Sequence, residues 1–181
     1  MKKSLTLLSI FLGVAANAFG YREAVVNGRF ETGRIAPWST DKFVISLRGH
    51  GHTGYYCAGY GEVSAYTTAS LRQDLGTNIY PEDVKKAVLW GLIDGRNWRA
   101  GDLIFNLGTN SHDVFLQNGV WTFVEFPLSK IGTRFAYLRI RTQHYNITPD
   151  YVWGCVDDVS LLISPTAVRG TSLGRVKALY R

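Results

Sequence analysis

Cysteine, methionine and charge are scarce in this chain: two Cys, one Met and 19% Asp, Glu, Lys and Arg among 181 residues. Two cysteines are too few for a disulfide-dense mini-protein, and five prolines with no repeating period exclude a collagen-like or low-complexity chain. No apolar run reaches the roughly 18 residues that would span a bilayer as a helix. Catalytic signatures are missing as well. There is no G-x-S-x-G elbow and no H-E-x-x-H helix. Glycosidases need two facing carboxylates, and Glu23, Glu31, Glu62, Glu82 and Glu125 are too scattered to nominate a pair. The chain is therefore read as non-enzymatic.

What is present suits one globular domain with one core: 46% hydrophobic residues, 13% aromatic residues and 19 Gly. Residues 1–18 read as a secretory signal peptide, with Lys2 and Lys3 before an apolar Leu5 to Val14 and an A-x-A site at Ala16-Asn17-Ala18. Export to the extracellular space or cell envelope is the expectation. After Pro165 the chain carries Arg169, Arg175, Lys177 and Arg181 and no acid, so residues 165–181 read as a basic tail. Such a tail is either a disordered terminus or a signal for surface-sorting machinery.

The formal charge of +6 lies in these two ends. Between Phe19 and Val168, 14 Lys and Arg balance 14 Asp and Glu, so no global field would hold a polyanion such as nucleic acid.

Short apolar runs separated by turn residues indicate an all-β, two-sheet antiparallel sandwich over residues 19–164. Strands are expected at Phe43 to Leu47, Tyr55 to Tyr60, Ala87 to Ile93, Leu103 to Leu107, Trp121 to Leu128, Phe135 to Thr142 and Val156 to Ile163, with one or two helical turns at Pro81 to Lys86. Alternation places Ala136, Leu138 and Ile140 on one face of their strand. Tyr137, Arg139, Arg141 and Gln143 share the other, outward face.

Gly49-His50-Gly51-His52-Thr53-Gly54 matches G-x-G-x-x-G, but the aromatic and glycine-rich residues after it will not form the helix that dinucleotide binding requires. His50 and His52 lack nearby Cys, Asp or Glu to complete a zinc site and are expected as exposed loop residues. Cys57 and Cys155 would meet an oxidising compartment after export, where two thiols tend to close; two separately buried thiols are the alternative.

The most informative run is Asn27-Gly28-Arg29-Phe30-Glu31-Thr32-Gly33, followed by Trp38. With Ala69-Ser70-Leu71-Arg72-Gln73 and the closing Val156-Asp157-Asp158-Val159-Ser160-Leu161, it resembles the CenC-type carbohydrate-binding modules of families four, nine and twenty-two, from about Val25 to Ile163. The resemblance implies a galactose-binding-domain-like jelly roll that binds polysaccharide without cleaving it. It also implies a structural calcium held by Glu31 and Asp157, with Asp158 the less favoured ligand. Alternatively these carboxylates simply accept turn amides. Stacking rings and planar polar groups bind sugars, so Tyr56, Trp98, Tyr137, Arg139, Arg141, Gln143 and Tyr145 are the candidate sugar contacts. Trp38 and Trp121 are assigned to the framework. The rival readings are an envelope adhesion or structural protein on the same fold, and a small jelly-roll enzyme acting on glycans.

Overall fold

The computed structural model describes residues 20–45, 51–95 and 101–165, without the side chains of 62–67, 95 and 144–152. The expected leader, His50, Trp98 and all of the basic tail beyond Pro165 lie outside the described residues, and Tyr145 is described by its backbone alone.

Among the described residues the fold has nine strands: β1 (Arg22–Glu23), β2 (Ser39–Asp41), β3 (Val44–Ile45), β4 (Ala58–Ile79), β5 (Val84–Gly95), β6 (Gly101–Leu107), β7 (Asn110–Leu116), β8 (Thr122–Glu125) and β9 (Phe135–Ile163). All pair antiparallel. The helical turns expected at Pro81 to Lys86 shrink to a single 3-10 turn at Pro81–Asp83, because Val84 already pairs with Ile163.

The fold is an all-β sandwich of two antiparallel layers, and β4 and β9 run through both. One layer is ordered β2, β4, β9, β6, β7, with β9 contributing Tyr137 to His144. In the other layer the later part of β9 lies between the start of β4 and β5, with β8 beyond β5. The two expected strands at 135–142 and 156–163 are thus one strand of 29 residues.

Alternation accounts for the core. Leu103, Phe105, Leu107, Leu138 and Ile140 of the first layer are fully buried with Leu89, Val156 and Leu161 of the second. The layers meet closely at Gly91: a Cβ there would lie 2.6 Å from Leu103 Cδ1 and 3.2 Å from Leu116 Cδ1.

The opening motif is framework. Gly28 approaches the closing strand so closely that a Cβ would fall 1.9 Å from the Val159 carbonyl oxygen, while Val159 N–H donates to the Gly28 carbonyl at 2.9 Å. Trp38 is buried against Phe30 and donates through Nε1 to the Asn27 carbonyl. Gln73, only 3% exposed, both accepts from Val26 N–H and donates to the Val26 carbonyl at 2.8 Å. It replaces a missing strand partner with a side chain.

Candidate functional site

Two regions bring the sequence candidates together. The first is the outer face of the β2-β4-β9-β6-β7 layer. Tyr137, Arg139, Arg141 and Gln143 share it, as alternation requires. Their ladder partners on β4 are Asp74, Arg72, Ser70 and Thr68, and β6 places Asn106, Ile104 and Asp102 opposite Arg139, Arg141 and Gln143. An open groove runs here, lined by Asp41, Thr68, Ser70, Arg139, Arg141 and Gln143 with Ile104 among them.

Arg139 and Arg141 have no hydrogen-bond or ion-pair partner among the described residues, and Arg141 Nε is buried without an acceptor. Arg72 differs: it pairs with Asp74 at 2.8 Å and lies over the Tyr137 ring at 4.1 Å. Tyr137 is therefore already covered at one end of the row. The apolar surface on this face comes from Phe115 on β7, which is 66% exposed and stands in register with Asp102 and Gln143. The expected strands leave out residues 108–120, and Phe115 with them. Its signal was the alternation His112, Val114, Leu116 against Ser111, Asp113, Phe115.

The second region is a clasp around residues 51–56. Glu31 Oε1 accepts from Tyr55 N–H at 2.9 Å and Tyr56 N–H at 3.0 Å. Asp157 Oδ2 accepts from His52 N–H at 2.8 Å and Thr53 N–H at 3.3 Å, and its Oδ1 from Asp158 N–H at 2.7 Å. Asp158 accepts from Thr53 Oγ1 and meets His52 Nδ1 at 3.0 Å and Arg29 Nε at 3.5 Å.

Simple alternation back from Val159 and Leu161 would turn Asp157 into the core and Asp158 away from it. Instead the ladder with β5 breaks register between Val88 and Trp90, and Asp158 takes φ 48. That bulge turns Asp157 to the side of Cys155, away from Val156 and Val159. It is fully buried beneath the 51–56 segment. Burial pushes its carboxyl up to about 7; the neighbouring Asp158 charge adds to this and the amide donors oppose it.

Calcium takes six to eight oxygen ligands. The groups facing Glu31 and Asp157 are N–H donors rather than carbonyl oxygens, and among the described residues no three of His, Cys, Asp and Glu gather as a metal-binding group. As arranged, this donor set does not fit calcium.

Tyr56 belongs to the clasp, before the start of β4, and packs by Gly33 rather than in the groove. His52 is not a free loop residue: its ring stacks on Trp90 at 3.8 Å and meets Trp121 edge-on at 5.5 Å. No helix follows the glycine-rich segment; β4 does.

Cys57 and Cys155 are buried thiols that are not joined in a disulfide, and they share a small cluster with Leu92, flanked by Trp121 and Trp153. The expected bridge is absent from this structure because Cys155 stands opposite Gly59, which sets Cys57 two residues out of register. Diagonal neighbours sit about 7–8 Å apart, beyond the usual Cα separation of a disulfide.

No family model matches the sequence, and no curated protein matches it. Solved structures do match in fold. The carbohydrate-binding module TmCBM61, solved with β-1,4-galactotriose, superposes with a TM-score of 0.54 at 20% identity, over 77% of this chain and 97% of that one. A family 16 carbohydrate-binding module gives 0.51 at 12% identity, over 76% of this chain and 98% of that one. At these identities the likeness establishes the β-sandwich fold.

Proposed function

We propose that this protein binds carbohydrate without cleaving it, through the groove on the β2-β4-β9-β6-β7 face. The observation that carries the proposal is the row Arg139, Arg141 and Gln143, donors aimed into an open groove with the exposed Phe115 ring on the same face. Planar donors and an apolar ring are what a sugar's hydroxyls and C–H faces require. The CenC-type motifs and the galactotriose bound to a fold relative support the same reading. The substrate class is polysaccharide or cell-surface glycan. An extracellular or envelope location is proposed from the leader expected at residues 1–18, and the basic tail is proposed as a surface-sorting signal.

Calcium enters this proposal only by displacing the amide donors on Glu31 and Asp157; a melting temperature that rises with calcium would show that it does. The function is tested by a glycan array and a polysaccharide pull-down with the protein and its Arg141→Ala variant. Retention that the variant loses supports the proposal, and no retention on any glycan overturns it.

A further inference from the structure

We infer that the groove selects anionic glycan chains, those bearing carboxylate or sulfate groups, over neutral ones. The inference rests on the reading of this face as a sugar-binding surface and narrows its ligand.

Charge is unevenly placed across the sheet. Arg139 and Arg141 lie on the same face of β9, two residues apart, which sets their stems about 7 Å from each other. Arg72 stands directly opposite Arg139, so three guanidiniums occupy adjoining positions. Like charges directly opposite one another are destabilising. The one carboxylate paired among them, Asp74, is used by Arg72. Neither partner of Arg141 in the ladder carries charge: Ser70 is on one side and Ile104 on the other.

Of the acids on this face, Asp41 and Asp113 stand away from that centre, while Asp102 is a diagonal neighbour of Arg141 that makes no ion pair with it. Asp41 lies beyond Ser70 and Asp113 beyond Ile104, each two strands from Arg141, which is about 10 Å. Asp113 is bonded by Ser111 Oγ at 2.9 Å. Asp102 is opposite Gln143 rather than either arginine. The middle of the sheet is therefore cationic while the domain as a whole is neutral.

Arg141 adds a specific demand. Its Nε–H is buried with no acceptor, while the side chain as a whole is half-buried and still faces the groove. Carboxylate and sulfate oxygens match the guanidinium fork in two parallel bonds, which a single hydroxyl does not. Hydroxyls of the same chain would reach Ser70, Thr68 and the marginal Asp41.

The test uses polygalacturonate, its methyl ester, a sulfated galactan and the same galactan without sulfate, measured by affinity electrophoresis against the full chain. The expected result is binding of at least one acidic polymer and about tenfold or more weaker binding of its uncharged counterpart. Preference for polygalacturonate or for sulfated galactan identifies which anion the groove takes. Arg139→Gln and Arg141→Gln should erase the preference at unchanged melting temperature, whereas Lys85→Gln, an equal charge loss on β5, should keep it. The comparison between each polymer and its uncharged form needs no variant, so a misfolded mutant does not blunt the test. Equal or stronger binding of the neutral polymers overturns this inference and leaves glycan binding intact. Binding of none of the four, with none on the glycan array, overturns both.

Discussion

Asp157 Oδ2 accepts the backbone N–H of His52 across 2.8 Å, tying the closing strand to a segment more than half the chain away. Glu31, from the opening motif, holds the same segment at Tyr55 and Tyr56. The first and last motifs of the sequence thus converge on one stretch of backbone.

Removing one arm of this clasp should be costly. Glu31→Ala leaves two amides without their acceptor and is expected to destabilise the fold by about 1–2 kcal/mol, read as a lower urea midpoint at unchanged slope. Because the clasp is made of amides, calcium and chelator should give the same melting temperature. A clear rise with calcium would show that the cation replaces them.

Asp157 makes stability depend on pH in an unusual direction for a carboxylate. Its folded-state pKa of about 7 lies above the ordinary aspartate value of 3.8, so between these values the folded chain holds a proton that the unfolded chain releases. Stability is therefore full below about pH 4 and declines as pH rises through 7. Urea midpoints across this range should fall, and Asp157→Asn should remove that part of the slope. A midpoint rising over the same range in the wild type would contradict the assignment.

Gly28→Ala should be among the most damaging single substitutions. The added Cβ falls on the Val159 carbonyl and forces apart the Gly28–Val159 backbone bond. A loss of at least about 2 kcal/mol is expected, measured by denaturant midpoint.

The two thiols should be silent to a thiol reagent in the folded protein and both react after unfolding, because each is buried. A protein that shows no free thiol even when unfolded would contain the bridge expected from the sequence.

Phe115→Ala tests the apolar half of the groove. Its ring is 66% exposed, so stability should hardly change, while affinity for a bound glycan should fall about tenfold. An unchanged affinity would place stacking elsewhere.

The sandwich and the outward row on β9 were legible in the sequence because period-two alternation holds from Tyr137 to Gln143; it fails just before, where the ladder with β4 slips register between Asp74 and Ile79, so Phe135 is buried and Ala136, expected beside Leu138 and Ile140 on the core face, is exposed. Alternation failed at Asp157, where the bulge at Asp158 inverts the face, and a bulge leaves no mark in the hydrophobic pattern. Most of β4 was missed for another reason. Thr68, Ser70, Arg72 and Asp74 look like a loop, yet between them Ala69 and Leu71 reach the core and Gln73 is buried by its bonds to Val26. His52 was misjudged because a stacking partner, Trp90, is contributed from a distant strand. Period reports which way a side chain points only while the ladder keeps step, and says nothing of what folds down upon it.

Because β4 and β9 each pass from one layer into the other, the two halves of this sandwich cannot be peeled apart as leaves of a book. They behave as one folded ribbon, creased twice and stitched along its length. Loosening the half that carries the groove must tug on the same two backbones that carry the carboxylate clasp. Amide exchange should accordingly show both halves opening in a single event, and a bound glycan chain should slow exchange at the far crease as well as beneath itself.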